Sequence, residues 1–374
     1  MSRTYLEICG QYDALAKTME FLDSEKDSLI AWIRDIKPKQ VIFLGCGSSF
    51  SVAKSLADAV CMRLPVFARA LPAGDVLLHA GRYVHSFQGA LLVSVSRSGS
   101  TSEIVRAIEA LRKNGCGFAL FSVSCTENSP LDKLSDRYID LPWAFDESVC
   151  QTRTVSCLYF TGMYLIACLA GDDQMRYSLL DVVEKGPAFL RGIEDQCKKI
   201  ASEDWDRVVA LGDAEISGLC EEGALAFNEI CQIPSNFYHL LDSRHGPMVL
   251  IKPKTLVIAA LSGEGGGLET DLIKDVLAKG AAVVTVSSAP VTMEGARNFS
   301  WGAVTGNTNG GGTLTGNIND SGALKAQDNY SGPLHHAALG LAFILACQFI
   351  SYYKSIHTGA DPDKPDGLAP WISL

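Results

Sequence analysis

The stretch Val41-Ile42-Phe43-Leu44-Gly45-Cys46-Gly47-Ser48-Ser49-Phe50 joins a short apolar run to a turn of glycines and hydroxyls, and a helical segment, Ala53–Cys61, follows it. Strand, tight turn and helix in that order form the repeating unit of a parallel sheet with helical crossovers. The same alternation continues down the chain. Residues 90–95, 118–123 and 138–141 read as strands, residues 102–113 as a helix and residues 152–170 as a long apolar helix. A second round starts near 205, with strands at 207–211, 255–261 and 281–286 and helices at 218–231, 268–279 and 334–353. Ahead of both rounds, residues 5–35 place Leu15, Met19, Leu22 and Leu29 on one helical face. The expected fold class is α/β, with two tandem units that each carry a mainly parallel central sheet between helices. The expected division is an N-terminal helical segment over 1–35, a first domain over 36–185 and a second over 186–374. A stretch at 302–332, rich in Gly, Asn and Thr, fits neither round and reads as a surface insertion.

Length alone favours two domains, because 374 residues exceed what one hydrophobic core usually supports. With 47% hydrophobic and 20% charged residues, the composition is that of an ordinary globular chain. The net charge of −10 argues against nucleic acid or an anionic membrane as partner, though not against a small anion met by local donors. The 12 cysteines occur singly, without a CxxC pair, and suit a reducing cytoplasm. The apolar run from Val155 to Gly171 is short for a bilayer span and reads as a buried core helix. No metal-spaced set of ligands emerges, and no metal or organic cofactor is expected.

Two loops look built for an anion. Gly45-Cys46-Gly47-Ser48-Ser49 and Ser96-Arg97-Ser98-Gly99-Ser100-Thr101 each end a strand and open a helix. Glycines let the backbone approach an anion closely, and a helix N-terminus adds free N–H groups and partial positive charge. Either loop alone could merely cap its helix. The pair, with Arg97 among the hydroxyls, points to a phosphate or sulfonate. In the second round, Glu264-Gly265-Gly266-Gly267-Leu268 reads as a vestigial copy of such a loop, without its hydroxyls.

Farther on, Glu222 and Glu229 are seven residues apart within the helix expected over 218–231, so both face the same way. His245-Gly246-Pro247 follows on a turn. A carboxylate and an imidazole converging on one pocket can open a sugar ring and move a proton between two carbons. The remaining histidines read as structural or surface residues, with His335-His336 beside the insertion.

Taken together, the two loops, the segment Glu147–Thr154, the Glu222…Glu229…His245 spacing and the tail Gly359–Ala369 resemble the sugar isomerase (SIS) domain family. The resemblance is to its tandem two-domain members, which include the isomerase half of glucosamine-6-phosphate synthase, tagatose-6-phosphate isomerase-like proteins and fructosamine-6-phosphate deglycases. It implies two three-layer α/β/α SIS domains. It implies a sugar held by Gly47, Ser48, Ser49, Ser96, Arg97, Ser98 and Thr101 at its 6-anion and flanked by Gln151 and Thr152. Glu229 would be the base, His245 would assist ring opening, and Glu222 would orient the sugar or tune Glu229. It also implies a homodimer in which His245 reaches the neighbouring subunit's site, with no nucleic-acid or membrane partner.

The synthase pattern has lysines where this chain has Ala226 and Pro370, and no glutaminase stretch precedes residue 1, so glucosamine-6-phosphate synthesis is not expected. The expected activity is aldose–ketose isomerisation of a 6-phospho or 6-sulfo sugar through a cis-enediol. A deglycase that releases an amine from a ketoamine phosphate is the alternative. A non-catalytic sugar-phosphate sensor is the further one.

Overall fold

The computed structural model describes residues 2–306 and 332–369. Helices α1 (Arg3–Cys9) and α2 (Gln11–Ile36) lead into β1 (Val41–Gly45), α3 (Ser48–Arg63), β2 (Ala68–Pro72), α4 (Ala73–Leu78) and α5 (Ala80–Phe87). Then come β3 (Leu91–Ser96), α6 (Ser102–Lys113), β4 (Ala119–Ser124), α7 (Pro130–Leu134) and β5 (Arg137–Asp140). These strands form one sheet in the order β2-β1-β3-β4-β5, with every adjacent pair parallel. Two long helices follow, α8 (Arg153–Ala170) and α9 (Asp173–Ala201).

The second sheet uses β6 (Arg207–Leu211), β7 (Ser235–Tyr238), β8 (Thr255–Leu261), β9 (Ala282–Ser287) and β10 (Ala296–Ser300). Its helices are α10 (Ser217–Ile230), α11 (Leu268–Leu277), α12 (Trp301–Thr305) and α13 (His336–Thr358). Read from the other edge, its order is β7-β6-β8-β9-β10, again all parallel. The two sheets therefore share one topology. In each, the chain reverses direction across the sheet beside the strand that begins it, which is where parallel sheets place ligands.

The central strands β1, β3 and β8 are buried along their whole length, as expected for strands covered on both faces. Helices α8 and α13 fill the space between the halves, with α13 packed on α9 and α10. Both are long and apolar enough to cross a membrane, yet 72% and 89% of their most apolar stretches lie inside the protein. They are core helices. All twelve cysteines are free thiols.

Several expectations need adjusting. The helix expected over 5–35 breaks at Gly10 into α1 and α2. The division expected at 185/186 falls inside the continuous helix α9, which carries Pro187 in its interior. Strands β2, β7 and β10 were not anticipated. The first residues of the expected insertion belong to α12, and residues 307–331, like Pro370, lie outside the described residues.

Candidate functional site

Helix α10 belongs to the second half but lies along α3 of the first. Leu219 N donates to Ser55 Oγ at 3.1 Å, Ser217 Oγ to Asp58 Oδ2 at 2.9 Å, and Lys54 pairs with Glu221 at 2.6 Å. Gly218 makes this close approach possible, because a Cβ there would lie 2.0 Å from the Ser51 carbonyl oxygen. Running this way, α10 brings Glu222 onto Ser48, whose hydroxyl hydrogen-bonds its carboxyl group. One turn of chemistry thus joins the first loop to the glutamate helix.

Neither loop spends a side chain on capping its helix. Gly47 caps α3 at φ 53°, and no side chain bonds the first turn. Thr101 stands at the N-cap of α6 without making a side-chain cap bond. Ser48, Ser49 and Thr101 are therefore not spent as ordinary caps. Ser96 Oγ accepts from Gly99 N at 3.1 Å, and Ser98 Oγ from Ser100 N at 3.2 Å, which curls the second loop. Gly99, at φ 58°, has no room for a side chain, since a Cβ would sit 2.3 Å from Ser129 Oγ.

Arg97 takes a different place from the one its loop suggested. Its buried guanidinium turns toward the segment before α8, where Nη1 donates to the carbonyls of Ser148 (2.9 Å), Val149 (3.2 Å) and Asp146 (3.4 Å). That segment is held from every side. The buried Glu7 of α1 accepts from Glu147 N at 2.6 Å, from Ser148 N at 3.2 Å and from the Ser148 hydroxyl. Asp146 accepts from Thr152 N at 2.6 Å and Thr154 N at 3.0 Å. Val149 N reaches the carbonyl of Asp363 in the C-terminal tail at 3.2 Å, and Gln348 of α13 holds the Thr152 carbonyl at 3.1 Å. Thr152 is thus fully engaged in building the segment. Gln151 keeps a buried Oε1 with no protein hydrogen bond.

The segment delivers Cys150 to Glu229. The thiol donates to the carboxylate, and Arg97 adds an attractive charge. Burial nevertheless dominates and pushes the Glu229 carboxyl up to about 7. Glu222, deeper and beside Glu229, is raised well above the usual carboxyl range, first by burial and then by the neighbouring negative charge. Its Oε2 is buried without a hydrogen bond. Two adjacent carboxyls in a dry site do not both ionise, and their environments assign the roles. Near neutrality Glu229 exchanges its proton while Glu222 stays neutral and can donate.

The structure thus draws together Ser48, Glu222, Glu229, Arg97 and the Cys150–Gln151 strip. His245 stands apart, exposed at the end of a short turn after β7. No hydrogen bond or ion pair among the described residues ties it to either glutamate. Glu7, Asp146 and Cys150 were missed as site-building residues, since nothing in their local sequence marks them.

The site is thus a hydroxyl-lined loop beside one buried and one half-buried carboxyl, on a doubled parallel sheet. The SIS domain model matches residues 36–166, all within the first half of the chain. The chain is 24% identical over 360 residues to a D-galactosamine-6-phosphate deaminase of Shewanella sp. strain ANA-3, covering 91% of this chain and 82% of that protein. It is 23% identical to the isomerising glutamine–fructose-6-phosphate aminotransferase of Sulfurisphaera tokodaii over 96% of this chain, and it spans only 54% of that protein's length. Among solved structures, a glucosamine-6-phosphate deaminase of Thermotoga maritima superposes with a TM-score of 0.77 at 25% identity, covering 100% of both chains. A tagatose-6-phosphate ketose/aldose isomerase of Escherichia coli gives 0.79 at 19% identity over 99% and 98% of the two chains.

Proposed function

We propose that the protein is an aldose–ketose isomerase for a sugar carrying an anion at C6. The observation that carries this reading is the carboxyl pair, one member raised to about 7 and the other held neutral by burial, next to loops whose hydroxyls do not cap their helices. The 6-anion sits on Ser48, Ser49, Ser96, Ser98 and Thr101 over the two helix N-termini. Arg97 acts through its hold on the Cys150 segment and through its field on Glu229. The Glu229 carboxylate removes the C2 proton of the open-chain aldose and returns it to C1, while neutral Glu222 hydrogen-bonds the cis-enediol oxygens.

A second reading, release of an amine from an amino-sugar phosphate, is favoured by one observation. The relatives matched over most of their own length include proteins named as 6-phosphate deaminases. It uses the same proton transfer to give an imine, to whose carbon water adds as the neutral carboxyl of Glu222 protonates the leaving nitrogen, so that the C–N bond breaks and a carbonyl forms. Proton NMR in D2O separates the two, using a panel of 6-phospho aldoses, ketoses, amino sugars and fructosamines plus a 6-sulfo sugar. Deuterium entering C1 or C2 with aldose–ketose interconversion supports the isomerase. Ammonia or amine release moves the assignment to the second reading. Saturable binding with neither makes the protein a sensor.

The pH profile follows from Glu229. A base must be ionised to act, and this carboxyl is raised rather than lowered, so kcat/KM climbs as pH rises through about 7 and falls away below it. A rate independent of pH between about 6 and 8 would count against Glu229.

We further propose that the working form is a homodimer in which His245 enters the neighbouring subunit's site. The turns flanking His245 expose Leu241, Val249 and Leu250, with Val249 70% accessible, an apolar patch that suits a self-complementary contact. Mixing two inactive variants, Glu229→Gln and His245→Asn, through a denaturation and refolding cycle restores about a quarter of the wild-type rate. Half of the dimers are mixed, and one of their two sites is intact. Absence of rescue, with mixed dimers verified by tagged pull-down, places both residues in one subunit's site.

A further inference from the structure

Residues 145–152, which bring Cys150 to Glu229, form neither helix nor strand. Their backbone groups must therefore find partners outside any regular ladder. Three successive N–H groups find them at the two ends of the chain. Glu147 N and Ser148 N donate to Glu7 Oε1 at 2.6 and 3.2 Å, and Val149 N donates to the Asp363 carbonyl at 3.2 Å. The carbonyls of Asp146, Ser148 and Val149 go to Arg97 instead. The segment is gripped between α1 and the tail on its N–H side and the second loop on its carbonyl side.

Glu7 links that grip to the carboxyl pair. Its side chain is 5% exposed, and every side-chain hydrogen bond it makes among the described residues ends on Glu147 or Ser148. The Ser148 hydroxyl, bonded to Glu7 Oε2, also reaches the Cys150 carbonyl oxygen at 2.9 Å. The Cys150 thiol in turn donates to the Glu229 carboxylate. A contiguous chain of contacts thus runs from the first helix of the protein to Glu229.

Helix α1 has only seven residues, too few to hold its place by helix propensity. The Asp363 carboxylate anchors its start, accepting from Arg3 N at 2.9 Å, Thr4 N at 2.8 Å and Thr4 Oγ1 at 2.9 Å. Tyr5 OH donates to Glu194 of α9 at 2.7 Å. An apolar side chain at position 7 would fill the same space without the desolvation that a buried carboxylate costs. The carboxylate is explained by what it holds.

We propose that Glu7 is a positioning residue for the reaction, acting through Ser148 and Cys150 to keep a donor against the Glu229 carboxylate. Its part in catalysis rests on Glu229 being the base, whereas its hold on Cys150 does not. The groups that face Glu229 are Cys150 and Arg97, which both favour its ionised form, and Glu222 beside it. The charge of Glu7 bears on Asp146 rather than on Glu229, so its influence on the base passes through the contact chain. Withdrawing the thiol removes a bond to the ionised form, so Glu229 then keeps its proton to higher pH.

The test follows the Glu229 carboxyl itself, by carbon-13 NMR of protein labelled at the glutamate carboxyls, with the signal assigned through Glu229→Gln. Cys150→Ala is expected to raise the titration midpoint by about one pH unit, the scale of one hydrogen bond to a charged group. Glu7→Ala is expected to raise it by about half a unit to one unit, and to add nothing further in the Cys150→Ala background. Glu7→Gln keeps the size and one acceptor oxygen, and it is expected to shift the midpoint the same way by less. If Glu7→Ala does not fold, Glu7→Gln decides alone. The proposal is overturned if the midpoint stays in place or falls when Glu7 is replaced, or if the Glu7 and Cys150 effects simply add. The pH profile of kcat/KM is expected to move with the NMR midpoint. An NMR shift without a matching shift in rate counts against Glu229 as the base and leaves the hold of Glu7 on Cys150 standing, so the two failures are told apart.

Discussion

Replacing Glu229 with Gln slows turnover at least about 100-fold, the usual scale for loss of a general base, while sugar binding persists. The amide preserves shape and can still accept from the Cys150 thiol, but it cannot take a proton from C2. A hundredfold loss corresponds to about 2.7 kcal/mol of barrier. The change also removes a negative charge that raises the Glu222 carboxyl, but burial, the larger cause of that rise, remains, so Glu222 stays protonated and does not replace the lost base. Steady-state kinetics together with calorimetric titration of the best substrate from the NMR panel provides the check. Full turnover removes Glu229 from the mechanism. Loss of binding along with turnover would mean that its carboxylate holds the sugar rather than moving the proton.

Much of this arrangement was legible in the sequence, and the parts that were not share physical causes. Buried central strands announce themselves as apolar runs, as Val41–Leu44 and Thr255–Leu261 do. Three of the four edge strands do not. Ala68-Arg69-Ala70-Leu71-Pro72, Ser235-Asn236-Phe237-Tyr238 and Ala296-Arg297-Asn298-Phe299-Ser300 are only partly buried and show neither a continuous apolar run nor clean alternation. Helix α9 was hidden by Gly186-Pro187 in its middle, a pair that usually ends a helix. Here the helix continues through it, and Gly186 lies so close to the Tyr12 ring that a Cβ would overlap it.

At the candidate site, the residues legible in advance were those set by local pattern: hydroxyls after a strand, and glutamates seven apart. What stayed hidden depends on distant pairing. Glu7 reaches a segment about 140 residues away, Arg97 spends a donor on that segment's carbonyls, and Cys150 meets Glu229 only because both halves fold together. The glycine-rich loop after β8 was visible as a loop that ends a strand, but that Ser262 and Gly263 donate to Glu269 there could be seen only in three dimensions.

The contact that unites the halves gives the second large effect: Gly218→Ala lowers turnover on the order of 100-fold with a much smaller change in stability. A Cβ at 218 would lie 2.0 Å from the Ser51 carbonyl oxygen and 2.8 Å from the Ser55 nitrogen, with Ser55 Oγ at 2.7 Å. The backbone atoms of α3 cannot rotate away as a side-chain tip would. Helix α10 must therefore lift off α3 by about 1 Å, a displacement that can cost about 100-fold when it misplaces reacting groups. Overpacking of this kind costs about 1–3 kcal/mol, but alanine returns nearly 1 kcal/mol of helix propensity relative to glycine. The melting temperature therefore moves little, and the rate carries the signal, because Glu222 and Glu229 ride on the displaced helix. Gly223→Ala is the matched control. Its Cβ would meet Cys347 Sγ at 2.8 Å and Phe343 Cε1 at 3.1 Å, both on side chains that can shift, so its rate stays within about tenfold of wild type. If Gly218→Ala turns over as fast as the wild type, the distance between α10 and α3 does not control the carboxyl pair, and the placement of Glu222 on Ser48 loses its mechanistic weight.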